Sequence, residues 1–547
     1  MSSIKLKSYA KVNLTLDILR KRGDGYHDLE TVFQQIGLCD DVELTWIDGD
    51  KVEIECNVKE IENTRNLAVK AALMLKEKCG IRKGVHIKIN KRIPIGAGLS
   101  GGSSNSAAVL KGLNILWDLG LRKEDLIKVS EDIGMDVAFH ILGGTCFGKG
   151  RGEILEKIKD LDEYHVVLVY PGFSVNTSDA YGNLDYGVIG KEMKSQKLIE
   201  SFDINHLHND FEHSIIKKNP MIETVKNKIG ENALMTGSGS AVFGLFKDES
   251  EAQKKFKELK EEFSDVYLTK TVNKNVELAK TMGFCFGVKR AVDEIEKLKN
   301  GEDVFVLGKL IHNPQVIEQL ERDGIKMIDS FEGVDKGVVV ISAHGVPDKT
   351  IEGVKERGVK VVDLTCPLVK KVHDITKEEE KKGRKVIIFG DEGHTEVKGI
   401  VGNLKNYKVI KDLLELNDED KKGKITLVSQ TTRDVKQFNE ISAKIKEMNQ
   451  DSEIKDTICI ATKDRQSSSI ELAKKSELMI VVGGKMSSNT KRLAEICSKF
   501  CETKYIETEN ELEMDWFLGK EKVGITAGAS TSSDTINRVK ETIERII

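Results

Sequence analysis

Pro94-Ile95-Gly96-Ala97-Gly98-Leu99-Ser100-Gly101-Gly102-Ser103-Ser104 runs without a break into Asn105-Ser106-Ala107-Ala108-Val109-Leu110. Residues with little or no side chain let backbone N–H groups come close to an anion, and the Ala- and Leu-containing stretch can begin a helix whose N-terminus favours negative charge. A strand-like segment, Val85-His86-Ile87-Lys88-Ile89, comes just before. Strand, glycine loop and helix together suit a phosphate cradle, with a merely flexible glycine loop as the plainer reading. The spacing is not G-x-x-x-x-G-K-[ST], which excludes an ordinary P-loop.

Outward from this loop, the 547-residue chain is long enough to favour several domains over one core. The first half mixes strands and helices. From about Val276 the texture changes to short β-branched runs, each followed by small or polar residues and a helical stretch. Val304-Phe305-Val306-Leu307-Gly308, Val338-Val339-Val340-Ile341-Ser342 and Val386-Ile387-Ile388-Phe389-Gly390 are three of them. Strands alternating with helices predict parallel α/β layers. No Pro- or Ser-rich linker separates the halves, so two domains, 1–274 and 275–547, are expected to abut at the polar stretch Thr271-Val272-Asn273-Lys274-Asn275.

Composition sets the class. With 39% hydrophobic and 32% charged residues and a formal net charge of −4, the chain reads as soluble and globular. Its Lys and Arg are spread along the whole length, which argues against nucleic acid as a partner. The longest apolar runs, such as 478–482, are strand-sized and far short of a membrane span. The N-terminal residues show neither a signal-peptide core nor a transit segment, so a cytoplasmic location with no membrane partner is expected.

Nine cysteines are present, none in a C-x-x-C pair. Three share a setting: Gly283-Phe284-Cys285-Phe286-Gly287, Leu364-Thr365-Cys366-Pro367-Leu368 and Thr457-Ile458-Cys459-Ile460-Ala461. Each follows a strand-like or loop segment and precedes a helical stretch with basic residues. Separations of about 80 and 93 residues suggest one cysteine per βα lobe, three lobes sharing a centre. Spacing alone leaves three choices open: ligands of an iron–sulfur cluster, ligands of zinc, or buried core cysteines. His312, His344, His394 with Glu396, Thr431, Ser487-Ser488-Asn489 and Ser530 follow predicted strands, where ligands of parallel α/β sheets bind, and would suit a diphosphate. Cys497 and Cys501, four apart in an expected helix, read as one packed face.

The glycine-rich run resembles the ATP-binding signature of the GHMP kinase superfamily. Ala10-Lys11-Val12-Asn13-Leu14, Gly25-Tyr26-His27, Gly134-Met135-Asp136-Val137-Ala138-Phe139, Gly148-Lys149-Gly150-Arg151-Gly152-Glu153 and Thr236-Gly237-Ser238-Gly239-Ser240 resemble, within it, the 4-diphosphocytidyl-2-C-methyl-D-erythritol kinases. Ala138 departs from the proline usual there. The resemblance covers about residues 4–270 and implies a two-lobed α+β fold binding ATP through residues 94–104, with Mg²⁺. It further implies Asp136 as the base that takes the acceptor hydroxyl's proton, Lys11 beside it, and Asn13, Tyr26 and His27 on the substrate.

From about residue 276 onward the chain resembles the 4-hydroxy-3-methylbut-2-enyl diphosphate reductases. The resemblance rests on the three cysteine segments, Leu310-Ile311-His312-Asn313-Pro314, Ser342-Ala343-His344-Gly345, Gly393-His394-Thr395-Glu396-Val397, Ser429-Gln430-Thr431-Thr432, Arg465-Gln466, Ser487-Ser488-Asn489 and Ala527-Gly528-Ala529-Ser530. Thr395 replaces a common proline. The resemblance implies a three-lobed α/β fold, pseudo-threefold around a [4Fe–4S] cluster ligated by Cys285, Cys366 and Cys459. Glu396, with Thr431, would supply protons for a reductive dehydroxylation. His312, His344, His394, Ser487, Ser488, Asn489 and Ser530 would hold the diphosphate, and a ferredoxin or flavodoxin would bring electrons. Two readings compete with a bifunctional enzyme of isoprenoid synthesis: one half reduced to scaffolding, or a kinase acting on another small alcohol such as homoserine or mevalonate.

Overall fold

The computed structural model describes residues 3–273, 275–298, 302–311, 313–417, 420 and 422–546. The chain divides into two compact units, residues 1–275 with 514–521 and 545–547, and residues 276–513 with 522–544. Asn275 and Val276 fall in different units, and residues 514–521 and 545–547 group with the first; Lys274 lies outside the described residues.

The first unit is built on a long antiparallel pair, Ser3–Lys21 with His27–Ile47. Alternating burial at Ile4, Leu6, Val42 and Leu44 turns one face of this pair toward helices Leu67–Cys79 and Gly101–Leu116. Strand Gly84–Asn90 extends the sheet along His27–Ile47. A second sheet, in the order Asp265–Lys270, His165–Tyr170, Val242–Phe246 and Ala233–Met235, is antiparallel throughout and buries Val167, Val169 and Val242. Two lobes of mixed helix and sheet result. The register of the long pair slips between Tyr9 and Ala10 and again between Asn13 and Thr15, so irregularities bracket Lys11 and Asn13. Bulges of this kind re-aim side chains beside functional clefts.

One buried carboxylate fixes the base of the glycine loop. Asp40, fully buried, pairs with Lys91, accepts the N–H groups of Arg92 (2.7 Å) and Ile93 (2.9 Å), and accepts from Asn105 Nδ2 (2.9 Å). It thereby joins both ends of the loop to the strand His27–Ile47.

The second unit contains three four-stranded sheets. Their central strands, among them Val338–Ile341, Lys385–Phe389 and Leu478–Val482, are buried nearly throughout, as parallel strands covered on both faces must be. The order in the first sheet is Lys326–Ile328, Val304–Leu307, Val338–Ile341, Lys360–Asp363; in the second, Tyr407–Ile410, Lys385–Phe389, Ile425–Ser429, Glu453–Ile454. Counted within each lobe this is second, first, third, fourth. The last sheet reads Glu502–Ile506, Leu478–Val482, Lys522–Ala527, Asn275–Leu278. Its fourth position is taken by the strand that opens the unit, so the repeat is circularly permuted. Equivalent bonds confirm the repeat: the N–H groups of Gly308, Gly390 and Gly483 donate to the carbonyls of Ile328, Ile410 and Ile506 at 2.8–2.9 Å. Helix Ser488–Cys497 stops at Cys497, so Cys501 follows the helix instead of sharing its face; both still meet one core.

Asp40→Ala should cost the first unit about 3–5 kcal/mol, because it leaves the buried Lys91 ammonium without its partner. An earlier urea transition in the fluorescence of Trp117, which is buried in that core, checks this.

Candidate active sites

Three remote segments of the first unit meet at Lys11. Its ammonium is buried, donates to Asn13 Oδ1 (2.7 Å) and to the Gly98 carbonyl (2.9 Å), and lies 4.0 Å from Asp136 Oδ2. Burial lowers its pKa from the usual lysine value, against the pull of Asp136. Asn13 donates its backbone N–H to Thr236 Oγ1 (3.1 Å) and its Nδ2 to Thr31 Oγ1 (2.8 Å). Gly98 has φ +80°, and a β-carbon there would stand 2.3 Å from the Thr236 carbonyl, so only glycine permits this approach.

The glycine run behaves as a loop feeding a helix. Ser100 precedes helix Gly101–Leu116 at φ +57°, a conformation costing a non-glycine residue on the order of 1–3 kcal/mol. Its Oγ is buried and has no hydrogen-bond partner among the described residues, an orphan polar atom at a helix N-terminus. Gly98, Ser100 and Ser103 line a cleft of about 310 Å³ with Lys11, Asn13, Asp136 and Gly237. Asp136 stands at the start of helix Val137–Leu142, where its side chain makes no capping bond. Ile95 and Gly96 are exposed, whereas Ala97 and Leu99 are buried. The Ser104 hydroxyl is spent inside the fold: it donates to the Tyr9 carbonyl and accepts from Ser8, each at 2.7 Å.

His27 is buried and stacks on Tyr181 (centroids 4.6 Å, planes 17° apart), with Nε2 2.6 Å from the Tyr186 hydroxyl. Burial lowers its pKa below the usual histidine value, which keeps the ring neutral. Tyr26 is 52% exposed, and the Arg151 guanidinium lies 4.9 Å above its ring. Tyr181, Tyr186 and Arg151 carried no assigned role in the sequence. A pair of tyrosines in a chain with only 5% aromatic residues was the available signal for the first two.

In the second unit the permuted repeat delivers one cysteine per lobe. Cys285, Cys366 and Cys459 each follow a fourth strand and stand immediately before a helix, Phe286–Leu298, Pro367–Lys381 or Ile460–Ala473. Their N–H groups donate to the carbonyls of Ala529 (3.2 Å), Ala343 (3.0 Å) and Thr431 (3.1 Å), three equivalent residues beyond the third strands. The thiols converge. A β-carbon on Gly287 would lie 2.8 Å from Cys366 Sγ, and the charge of Cys285 acts on both Cys366 and Cys459. Burial raises the thiol pKa of Cys366 and of Cys459.

Two arginines tie the cysteine segments together. Arg465, 2% exposed, reaches from the helix after Cys459 to the Gly283 carbonyl (2.8 Å), two residues before Cys285. Arg290 reaches from the helix after Cys285 to the carbonyls of Leu364 (2.9 Å) and Thr365 (2.7 Å), just before Cys366. Arg465 stood within a quoted motif, yet neither arginine was assigned a role from sequence.

A buried carboxyl, Glu396, lies close enough to Cys366 and Cys459 to act on both. It is 3% exposed, and Thr431 donates to it twice, N–H to Oε1 at 2.7 Å and hydroxyl to Oε2 at 2.8 Å. Burial outweighs those bonds and raises its pKa from 4.5 to about 7. The Glu396 N–H donates to His394 Nδ1 at 3.2 Å, and the His394 ring meets that of His344 edge-on, centroids 5.8 Å apart. Ser487 caps helix Ser488–Cys497, and Asn489 carries a buried Nδ2 without a hydrogen-bond partner. Ser530 is buried, and its carbonyl accepts from Asn313 Nδ2 at 2.6 Å. His312 lies outside the described residues.

Known proteins fall on the same two halves. Family profiles match at residues 66–144 (GHMP kinases N terminal domain), 191–265 (GHMP kinases C terminal) and 276–544 (LytB protein). The 4-diphosphocytidyl-2-C-methyl-D-erythritol kinase of Alkaliphilus oremlandii is 40% identical over 291 residues, covering 51% of this chain and 100% of that protein. The 4-hydroxy-3-methylbut-2-enyl diphosphate reductases of Nautilia profundicola and Helicobacter pylori (strain Shi470) are 40% and 42% identical over 275 residues; they cover 49% and 50% of this chain and 99% of each protein. The chain belongs to both families. It carries a GHMP kinase half and a LytB reductase half, joined in one polypeptide. Three convergent thiols at helix N-termini, beside the buried Arg465 guanidinium, fit the iron–sulfur cluster that a LytB half implies. The orphan Ser100 hydroxyl and the glycine-lined cleft fit a nucleotide phosphate.

Gly287→Ala should strain the LytB centre by about 1–3 kcal/mol, as overpacking does. Iron and sulfide per chain after anaerobic purification should fall while far-UV circular dichroism stays unchanged.

Proposed function

We propose that this chain is a bifunctional enzyme of isoprenoid-precursor synthesis. The kinase half transfers the γ-phosphoryl group of ATP, with Mg²⁺, to the 2-hydroxyl of 4-diphosphocytidyl-2-C-methyl-D-erythritol. The reductase half converts 4-hydroxy-3-methylbut-2-enyl diphosphate, with two electrons and two protons, into isopentenyl or dimethylallyl diphosphate and water. The observation that carries this reading is that each unit holds its own proton-handling pair, Lys11 with Asp136 and Glu396 with Thr431.

In the kinase cleft Asp136 accepts the proton of the attacking hydroxyl, and Lys11, fixed by Asn13 and Gly98, orients that hydroxyl and offsets charge as it develops. Such base catalysis contributes on the order of 10²–10⁴-fold; positioning and electrostatics supply most of the rest of a phosphoryl transfer. Backbone N–H groups at the start of helix Gly101–Leu116 receive phosphate oxygens. His27, neutral, hydrogen-bonds the cytosine, and Tyr26 offers its ring for stacking.

In the reductase half Cys285, Cys366 and Cys459 would hold a [4Fe–4S] cluster by three irons. When bound, the cluster supplies the two electrons, received from a ferredoxin or flavodoxin, and a Lewis-acid iron for the substrate's hydroxyl end. The chain's own residues move the proton. Glu396, protonated up to about pH 7, donates it toward the departing hydroxyl, and the Thr431 hydroxyl bonded to Glu396 relays its replacement. His394 accepts a backbone N–H at Nδ1, which places its proton on Nε2, directed at an acceptor such as a diphosphate oxygen. His344, Ser487, Ser488, Asn489 and Ser530, together with His312, complete the diphosphate pocket.

Both reactions measured on one anaerobic preparation test the reading. Asp136→Asn should lower the kinase kcat by about 10²–10⁴-fold and spare the reductase; Glu396→Gln should do the reverse. Equal loss of both activities in either variant would overturn the assignment of separate sites.

The pH dependence has a definite sign. Glu396 binds its proton more tightly folded than unfolded, so its contribution to stability declines as pH rises from 4.5 to about 7. The donating form of the folded chain disappears as pH rises through about 7. The reductase rate should therefore show a descending limb near pH 7, absent from the residual rate of Glu396→Gln.

A further inference from the structure

The side of the cysteine centre formed by the helix starts is unusually apolar for a surface. Phe286 and Ile460, the residues directly after Cys285 and Cys459, are 73% and 70% exposed, and Leu368, two after Cys366, is 43% exposed. Consecutive Cα atoms are about 3.8 Å apart, so each of these side chains starts within one or two such steps of a thiol that converges with the other two. The repeat that gathers the cysteines therefore gathers one exposed hydrophobic residue from each lobe around them.

Charge follows the same repeat. Lys289, Lys370 and Lys463 each stand four residues after a cysteine, and their N–H groups close the first helical turn on the cysteine carbonyls at 2.9, 2.9 and 3.1 Å. None of the three helices has an acidic residue in its first turn, where helices ordinarily favour one. Asp363 and Asp456 pair with Lys370 and Lys463. Lys289 is exposed and has no ion pair among the described residues. The three helix N-termini, and Lys289 most of all, thus place positive charge beside the apolar residues.

We propose that Phe286, Leu368 and Ile460, bordered by Lys289, Lys370 and Lys463, form the docking surface for an acidic electron-carrier protein that reduces the centre. The inference rests on the reductase reading. Each docking delivers one electron and oxidises the carrier by one; two deliveries and two protons convert one substrate to product and water. A hydrophobic centre with a charged border is the layout of a transient protein interface, where charge sets the encounter and buried apolar area holds it briefly.

Turnover measured with two reductants on the full chain tests this: reduced flavodoxin, an acidic protein, and dithionite-reduced methyl viologen, which needs no docking surface. Lys289→Glu and Phe286→Ser should each raise the KM for flavodoxin by about tenfold at low salt, and the rise of that KM with added KCl should flatten in Lys289→Glu. Iron content and the methyl viologen rate should stay at the level of the unmodified chain, and Lys289→Gln should fall between. An unchanged flavodoxin KM in both variants, or equal losses with the two reductants, would overturn the surface. An unmodified chain inactive with methyl viologen would sink the reductase reading and this surface together.

Discussion

Three backbone hydrogen bonds hold the cysteine centre in place. Each cysteine N–H is tied to the carbonyl of a residue just past the third strand of its own lobe, so thiol position is set by sheet geometry. A parallel strand buried on both faces cannot slide without exposing its side chains. The carbonyls of Ala343, Thr431 and Ala529 are therefore fixed reference points, and the thiols inherit that precision. Thr431 serves twice, its carbonyl holding Cys459 while its N–H and hydroxyl hold Glu396. Where the other lobes have alanine, the hydroxyl of this lobe makes the one difference that a proton donor needs.

Two arginines, the buried Arg465 and the half-buried Arg290, extend this constraint around the ring. Arg465 joins the Cys459 helix to the Cys285 segment, and Arg290 joins the Cys285 helix to the Cys366 segment. A buried guanidinium is costly unless negative charge answers it. At Arg465 burial lowers the pKa, and negative charge on Cys285 and Cys459 offsets part of that cost. The kinase half solves the analogous problem at Lys11, whose ammonium is buried yet bonded to Asn13 and Gly98 and faced by Asp136. In both halves a cation kept out of water lowers the local cost of negative charge that develops beside it.

Legibility in the sequence follows burial. The central strands of the second unit stand out as continuous apolar runs because both faces are covered. Their edge partners, such as Lys360–Asp363 and Glu453–Ile454, are half-exposed and mixed in character, and carry no such signal. Asn275–Leu278 is harder still, for it pairs with Lys522–Ala527 from the far end of the chain, and no local pattern announces a permuted strand. Lys11, Asp136, Glu396 and the three cysteines stand in motifs whose neighbours are constrained by close packing, as at Gly98 and Gly287. Tyr181, Tyr186, Arg290 and Arg465 act through contacts made only in the fold, which no local pattern around them spells out. Ser104 shows the converse: its motif is a glycine-rich cradle, yet its hydroxyl serves the sheet beneath.

The two proposed reactions differ in a way that bears on why both sites are complete. The kinase product still carries its cytidine diphosphate group and gains a phosphate at the 2-hydroxyl. The reductase substrate is a five-carbon allylic diphosphate without cytidine. Loss of the nucleotide and removal of hydroxyl groups must intervene, by reactions that neither cleft has residues to perform. No intermediate can pass directly from one site to the other, so joining them confers no shortened diffusion path between Asp136 and Glu396. What a shared chain does enforce is equal synthesis of an early and a late catalyst of one route. Each site then has to be self-sufficient, which is how the two proton-handling pairs are built: every residue that holds Lys11 lies in the first unit, and every residue that holds Glu396 lies in the second.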